Sequence, residues 1–268
     1  MKISFIGGGL MAEALIGGIL RSGIATPENI RVGEPVQARR DYLEQTYNLK
    51  AHDFNLDVLP EADLVFFAVK PQSFPDVAPE LRGKLEDENT AVSIMAGVTI
   101  DTLTSGLRHK QVIRVMPNTP AQIGQGMSVW TATKHVPADA KETTQQILAT
   151  LGEEQYVPDE KLIDMSTALS ASGPAYVFLF IESLIDAAVN LGMPRDMARK
   201  LTLQTVLGST ELVKQTGRHP AELKDMVTSP GGTTIAALAA FEEGAFRSTV
   251  FKAVKAALDR SNELGKSK

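Results

Sequence analysis

The stretch Ile3-Ser4-Phe5-Ile6-Gly7-Gly8-Gly9-Leu10-Met11-Ala12 decides the fold. A short run rich in Ile and Phe enters three glycines, and an amphipathic pattern, Leu10–Leu20, leaves them. This is a strand, a tight turn and a helix, with glycines spaced as G-x-G-x-x-A. Gly7 permits the turn, Gly9 lets the backbone approach a ligand, and Ala12 lets the helix pack closely on the strand. Gly8, Leu10 and Met11 complete a cradle at a helix start, whose unpaired N–H groups and partial positive charge suit a pyrophosphate. The turn therefore predicts a dinucleotide.

The next strand supplies a second check. Glu34 lies 22 positions beyond Ala12, at the end of Ile30–Val32, where an acidic side chain binds the hydroxyls of an adenosine ribose. Two unit charges 4 Å apart at an effective dielectric near 20 repel by roughly 4 kcal/mol. Glu34 thus disfavours a 2′-phosphate. Arg39 and Arg40, on the following helix, either offset that repulsion or form a solvated face. Charge alone favours NADH over NADPH.

Outward from the turn, Leu64–Val69, Ala91–Met95 and Val112–Met116 repeat the short, β-branched, turn-bounded pattern of buried parallel strands. Helical stretches Val36–Tyr47 and Ala138–Leu151 lie between or after them. Alternation of this kind predicts an α/β fold, an open Rossmann-type parallel sheet with helices on both faces. From about residue 158 the strands vanish. Val177, Ile181, Leu184, Ile185, Ala188 and Leu191 recur every three or four positions, and Phe178 and Phe180 widen the stripe nearly all round. Such a helix needs other helices or a second subunit to cover it. Gly192-Met193-Pro194 ends it, and Arg195–Thr216 follows as the next helix. The division expected is a dinucleotide-binding domain, 1–158, and an all-α domain, 159–268. The Lys-rich tail, Lys266–Lys268, is expected to fray.

Composition narrows the function. The 268 residues suffice for two domains. With 43% apolar residues, 22% charged residues and a net charge of −5, the chain has an ordinary soluble balance and no basic footprint for nucleic acid or an acidic membrane. It contains no cysteine, which removes disulfides, thiol catalysis and thiolate metal sites. His52, His109, His135 and His219 are scattered, so no metal is expected. The apolar stretch Ile3–Leu20 is interrupted by Glu13 and reads as strand and helix, not as a leader. No uninterrupted apolar run approaches a membrane span. A soluble, cytoplasmic protein with a small-molecule partner is expected.

Three strand-end or loop segments carry more: Val69-Lys70-Pro71-Gln72, Met116-Pro117-Asn118-Thr119-Pro120 and Thr228-Ser229-Pro230-Gly231-Gly232-Thr233-Thr234. Together with Ser170-Ala171-Ser172-Gly173-Pro174-Ala175-Tyr176, they resemble the pyrroline-5-carboxylate reductases in order and spacing, from Lys2 to about Leu264. The resemblance implies reduction of L-1-pyrroline-5-carboxylate to L-proline by NADPH or NADH, and a helical C-terminal domain that interlocks with a second subunit in a homodimer or higher oligomer. Carried over by position, it puts Gly7–Ala12 on the pyrophosphate and Glu34 and Asn55 near the adenosine. Lys70, with Val69 and Pro71, falls at the middle of the cofactor. Ala96, Gly97 and Asn118 fall near the ribose and nicotinamide end. Ser229, Gly231, Gly232, Thr233 and Thr234 hold substrate. Two positions depart from the pattern: Glu34 stands where many members carry a neutral or basic residue, and Ala171 replaces a glycine.

The residues agree with these roles on their own chemistry. Lys70 and Asn118 each follow a strand, at the carboxyl edge where ligands bind in open α/β sheets. Ser229-Pro230-Gly231-Gly232 is a turn and Thr233 opens a helix, so a small carboxylate could dock on the N–H groups and hydroxyls there; a plain Ser/Thr helix cap is the other reading. A cyclic imine becomes an electrophilic iminium without help, so the protein need only place it and exclude water. Thr234 is expected to hydrogen-bond the ring nitrogen and relay a proton. A related two-domain reductase of keto or hydroxy acids typically needs a lysine on the long helix, and Gly173–Leu191 has none. A dinucleotide-binding protein without turnover would have no use for the substrate-type loop.

Overall fold

The structure, a computed structural model, describes residues 1–266. The chain runs β1 Ile3–Ile6, α1 Leu10–Ser22, β2 Ile30–Gly33, α2 Gln37–Tyr47, β3 Lys50–His52, β4 Leu64–Phe67, α3 Phe74–Leu81, β5 Thr90–Ser93, α4 Ile100–Leu107 and β6 Val112–Met116. Then follow β7 Gly126–Ala132, α5 Ala138–Ala149, β8 Gly152–Tyr156 and α6 Lys161–Ser166, with a π turn at Thr167–Ala171. The remainder is helical: α7 Gly173–Asn190, α8 Arg195–Thr216, α9 Pro220–Met226, α10 Thr233–Glu243 and α11 Phe246–Lys266. The expected frayed tail, Lys266–Lys268, lies at and beyond the end of the described residues. Two compact units emerge, one of Met1–Ser172 with the chain from Ala257 onward, the other of Gly173–Ala256.

The sheet of the first unit has the order β3-β2-β1-β4-β5-β6-β7-β8. Its first six strands are parallel, as the alternating pattern requires. Both faces are covered because successive side chains point to opposite sides. Ile3, Phe5, Leu64, Phe66, Val92 and Ile113 enter one core with Leu15, Ile16 and Ile19 of α1 and Leu43 of α2. Ile6, Val65, Phe67, Ala91 and Val112 enter the other with Phe74 and Leu81 of α3 and Leu103 and Leu107 of α4. Strands buried on both sides explain the unbroken apolar runs.

The sheet is also larger than the sequence reading. β3, β7 and β8 were not anticipated, and β7 runs antiparallel to β6, pairing Met116 with Val129. β8 is parallel to β7, so both run against the other six. The carboxyl end of β8 therefore lies at the edge opposite to the carboxyl ends of β1, β4, β5 and β6. α6 packs back on this part of the sheet, with Ile163 against Val129 and Val157. Beneath it Arg114 of β6, 1% exposed, donates to Glu160 at 2.6 Å and to Asp164 at 2.7 Å. Glu160 also accepts from the Ile100 N–H at 2.8 Å.

In the second unit α7 and α8 pack side by side, and Phe180 and Phe241 both contact the Phe246 ring. Val177, Phe178 and Leu179 remain exposed on the single chain. The helical stretch Lys161–Asn190 is long and apolar enough, by length and composition alone, to cross a bilayer, although Glu182 and Asp186 interrupt it.

Candidate active site

Each glycine of the β1–α1 turn has its own reason. Gly7 has φ +99°, and a Cβ there would lie 3.0 Å from the Ala68 carbonyl and Val69 at the end of β4. Its N–H donates to the Gly33 carbonyl at the end of β2, 2.8 Å away. A Cβ at Gly8 would meet Leu43 at 2.7 Å. Gly9 differs: nothing stands within 4 Å of its Cβ position. It precedes α1 with extended backbone and no side-chain cap, so first-turn N–H groups face an open approach. Ala12 is fully buried and Leu10 is exposed. The turn sits where the strand order reverses, between β1 and β4, the crevice in which open α/β sheets bind ligands.

Beside it lies a cavity of about 390 Å³ lined by Gly7, Gly33, Pro35, Asp53, Phe54, Asn55, Val69, Ser73, Val77 and Glu80. The cavity brings together Gly7, expected at the pyrophosphate, Asn55, expected near the adenosine, and Val69, expected at the middle of the cofactor. Asn55 donates to Glu80 at 3.0 Å. Pro35, Asp53, Phe54 and Glu80 were missed; they carry no motif, and only the fold gathers them. Glu34 borders the turn, accepting from the Gly8 N–H with Oε2 and from the Val36 N–H with Oε1, both at 3.0 Å. Arg39 and Arg40 are not a loose solvated face. Arg39 donates to the Gly8 carbonyl at 2.6 Å and to Glu13 at 2.5 Å. Arg40 donates to the Glu34 carbonyl at 2.7 Å and to Gln37.

Glu13 anchors this corner. Burial raises its pKa, but hydrogen bonds from Arg39, Tyr42 and Tyr47 outweigh that and hold the carboxyl below its ordinary value. Burial and the Glu13 carboxylate push the Tyr47 phenol up to about 12.

The other cofactor candidates mark the carboxyl ends of successive strands. Lys70 is exposed after β4, where Pro71 opens a short helical turn. Ala96-Gly97 forms a turn after β5, with Gly97 at φ +72°. Asn118 follows β6, and its amide is engaged: Nδ2 reaches the Ser170 carbonyl at 3.2 Å and the Ser170 hydroxyl at 3.3 Å, while Oδ1 accepts from the Met127 N–H at 2.9 Å. It holds the π turn at the ligand edge, a role the sequence did not disclose.

The substrate-type loop belongs to the second unit. Gly231 has φ +67°, and Gly232 donates to the Ser229 carbonyl at 3.1 Å while forming the N-cap of α10. No side chain caps this helix, so the plain Ser/Thr cap is not what the loop makes. Ser229 and Thr233 are exposed and Thr234 half-buried, leaving backbone donors and hydroxyls together at one helix start.

A six-strand order of 3-2-1-4-5-6 with an open glycine turn at its switch point defines a Rossmann-type dinucleotide-binding protein. Residues 2–97 match the family described as NADP oxidoreductase coenzyme F420-dependent, and residues 160–264 match pyrroline-5-carboxylate reductase dimerisation. The chain belongs to the pyrroline-5-carboxylate reductase family: it is 45% identical over 266 residues to the reductase of Synechocystis sp., covering 99% of both chains. Among solved structures it resembles the Coxiella burnetii reductase, with a TM-score of 0.90, 34% identity and 99% of both chains covered. It also resembles the Plasmodium falciparum reductase with NADP bound, with a TM-score of 0.87, 34% identity, and 99% and 98% covered.

Proposed function

We propose that the chain reduces L-1-pyrroline-5-carboxylate to L-proline with NADPH or NADH, the last step of proline biosynthesis. The observation that carries this reading is the full-length likeness to reductases of that name, at 45% identity, on a chain whose Gly9 leaves its helix start open. The Gly7–Ala12 turn would hold the pyrophosphate. Glu34 and Asn55 would hold the adenosine side, Val69, Lys70 and Pro71 the middle, and Ala96 and Gly97 the nicotinamide end, with Asn118 shaping that end through Ser170. When bound, the reduced nicotinamide supplies a hydride.

The chain's own residues then place the imine. Ser229, Gly231, Gly232 and Thr233 take the substrate carboxylate on backbone N–H groups and hydroxyls. Thr234 donates to or accepts from the ring nitrogen and orients it. No further acid or base is required, because the iminium carbon is already electrophilic.

Residues 1–158 form the dinucleotide-binding part in this reading, and 159–268 the substrate-binding and dimerisation part. The dimerisation match over 160–264 and the exposed Val177, Phe178 and Leu179 support a homodimer in which a second copy, not lipid, covers α7. The setting is the cytoplasm.

Loss of reduced-nicotinamide absorbance separates the readings. Turnover is expected with pyrroline-5-carboxylate and not with keto acids; consumption with keto acids alone, or with neither, would overturn the assignment. Thr234→Ala is expected to lower kcat at least tenfold with an unchanged melting temperature. Unaltered kinetics would remove Thr234 from the reaction.

A further inference from the structure

Resting on the dinucleotide reading above, we propose that Glu34 makes this chain select NADH over NADPH. The sequence places a carboxylate one residue beyond β2; the structure fixes it there. Both of its oxygens are held, one by the Gly8 N–H and one by the Val36 N–H, each at 3.0 Å. To swing away from a ligand it would have to give up both bonds, one of them to the phosphate-binding turn itself. The end of the second strand is where this fold class reads the adenosine ribose. A carboxylate there accepts hydrogen bonds from the 2′- and 3′-hydroxyls of NADH. It repels the 2′-phosphate of NADPH, which carries up to two negative charges.

The neighbouring arginines donate to acceptors other than its carboxylate. Arg39 is committed to the Gly8 carbonyl and to Glu13, its guanidinium lying 4.9 Å from the Tyr42 ring centroid. Glu13 is in turn fixed by the hydroxyls of Tyr42 at 2.8 Å and Tyr47 at 3.0 Å. Arg40 is committed to the Glu34 backbone carbonyl and to Gln37. The cavity itself adds two carboxylates, Asp53 and Glu80, and no lysine or arginine lines it. A site that accepts a 2′-phosphate needs donors of positive charge aimed into it. Here Arg39 is paired with Glu13, Arg40 is held by the Glu34 carbonyl and Gln37, and the acidic groups Asp53 and Glu80 line the cavity.

Calorimetric titration of the intact protein with NADH and with NADPH tests this without turnover. NADH is expected to bind at least tenfold more tightly. Glu34→Gln, which keeps the side chain's shape but removes its charge and one acceptor, is expected to tighten NADPH about tenfold and to weaken NADH at least threefold, reversing the preference, while an unchanged melting temperature reports that the variant is folded. Equal or reversed affinities in the parent protein would overturn the proposal while leaving the dinucleotide reading intact. So would an affinity ratio that Glu34→Gln does not move. Failure of both cofactors to bind would overturn the underlying reading and the proposal with it.

Discussion

At the scale of single residues, the three glycines of the turn predict three different failures. Gly9→Ala adds a methyl where nothing stands within 4 Å and φ is −68°. It is expected to cost under about 1 kcal/mol of stability yet weaken NADH binding at least tenfold, because the methyl occupies the phosphate's approach. Gly7→Ala forces φ +99° on a residue with a Cβ and crowds the β4 backbone, so it is expected to lose about 2 kcal/mol of stability. Urea melts and NADH titrations of both variants check the contrast. His109 predicts a pH effect. Burial lowers its imidazole pKa, outweighing the Asn89 carbonyl and Asp87, which raise it. The unfolded chain thus takes up the proton more readily, and stability falls as pH drops below about 6.5, the unfolded value. Urea midpoints at pH 7.5 and 5.5 are expected to differ more in the parent protein than in His109→Gln.

At the scale of elements, legibility followed burial. β4 enters a core on both faces and reads as an unbroken apolar run, while β1, β2, β5 and β6 kept enough buried apolar residues to be read despite Ser4, Arg31, Ser93 and Arg114. β3 and β8 are the edge strands of the sheet, and Lys50-Ala51-His52 and Gly152-Glu153-Glu154-Gln155-Tyr156 are too polar to register as such a run. β7 escaped because Gly126, Met127 and Ser128 dilute its Val129-Trp130-Thr131 signal. In the candidate site, the glycine turn, the Glu34 position and the start of α10 at Thr233 were readable because local backbone chemistry writes them. The cavity-lining Asp53, Phe54 and Glu80, and the bond from Asn118 to Ser170, depend on tertiary placement and leave no local trace. Arg114 belongs to the same category. Its side chain would be an isolated buried charge without Glu160 and Asp164, each only partly exposed. Arg114→Ala is expected to cost about 3 kcal/mol, read as a lowered urea midpoint, with the largest loss of amide protection in α6.

At the scale of the whole molecule, the homodimer proposed above makes a prediction about mass. Light scattering is expected to give at least twice the chain mass of 28.9 kDa. Phe178→Glu, a change at a 61% exposed position, is expected to shift that mass toward one chain while NADH titration stays unchanged. The reversed strands β7 and β8 also govern how the molecule can be dissected. A cut at residue 158 would release the nucleotide half with a new terminus remote from its ligand mouth, an attractive place for a tag. It would also strip Arg114 of both counter-ions and leave Asn118 without Ser170, orphaning a guanidinium inside the fragment. A cut after Ser172 carries all three partners along. Even that fragment lacks the chain from Ala257 onward, which belongs to the same compact unit, so the nucleotide-binding unit cannot be excised as one continuous segment.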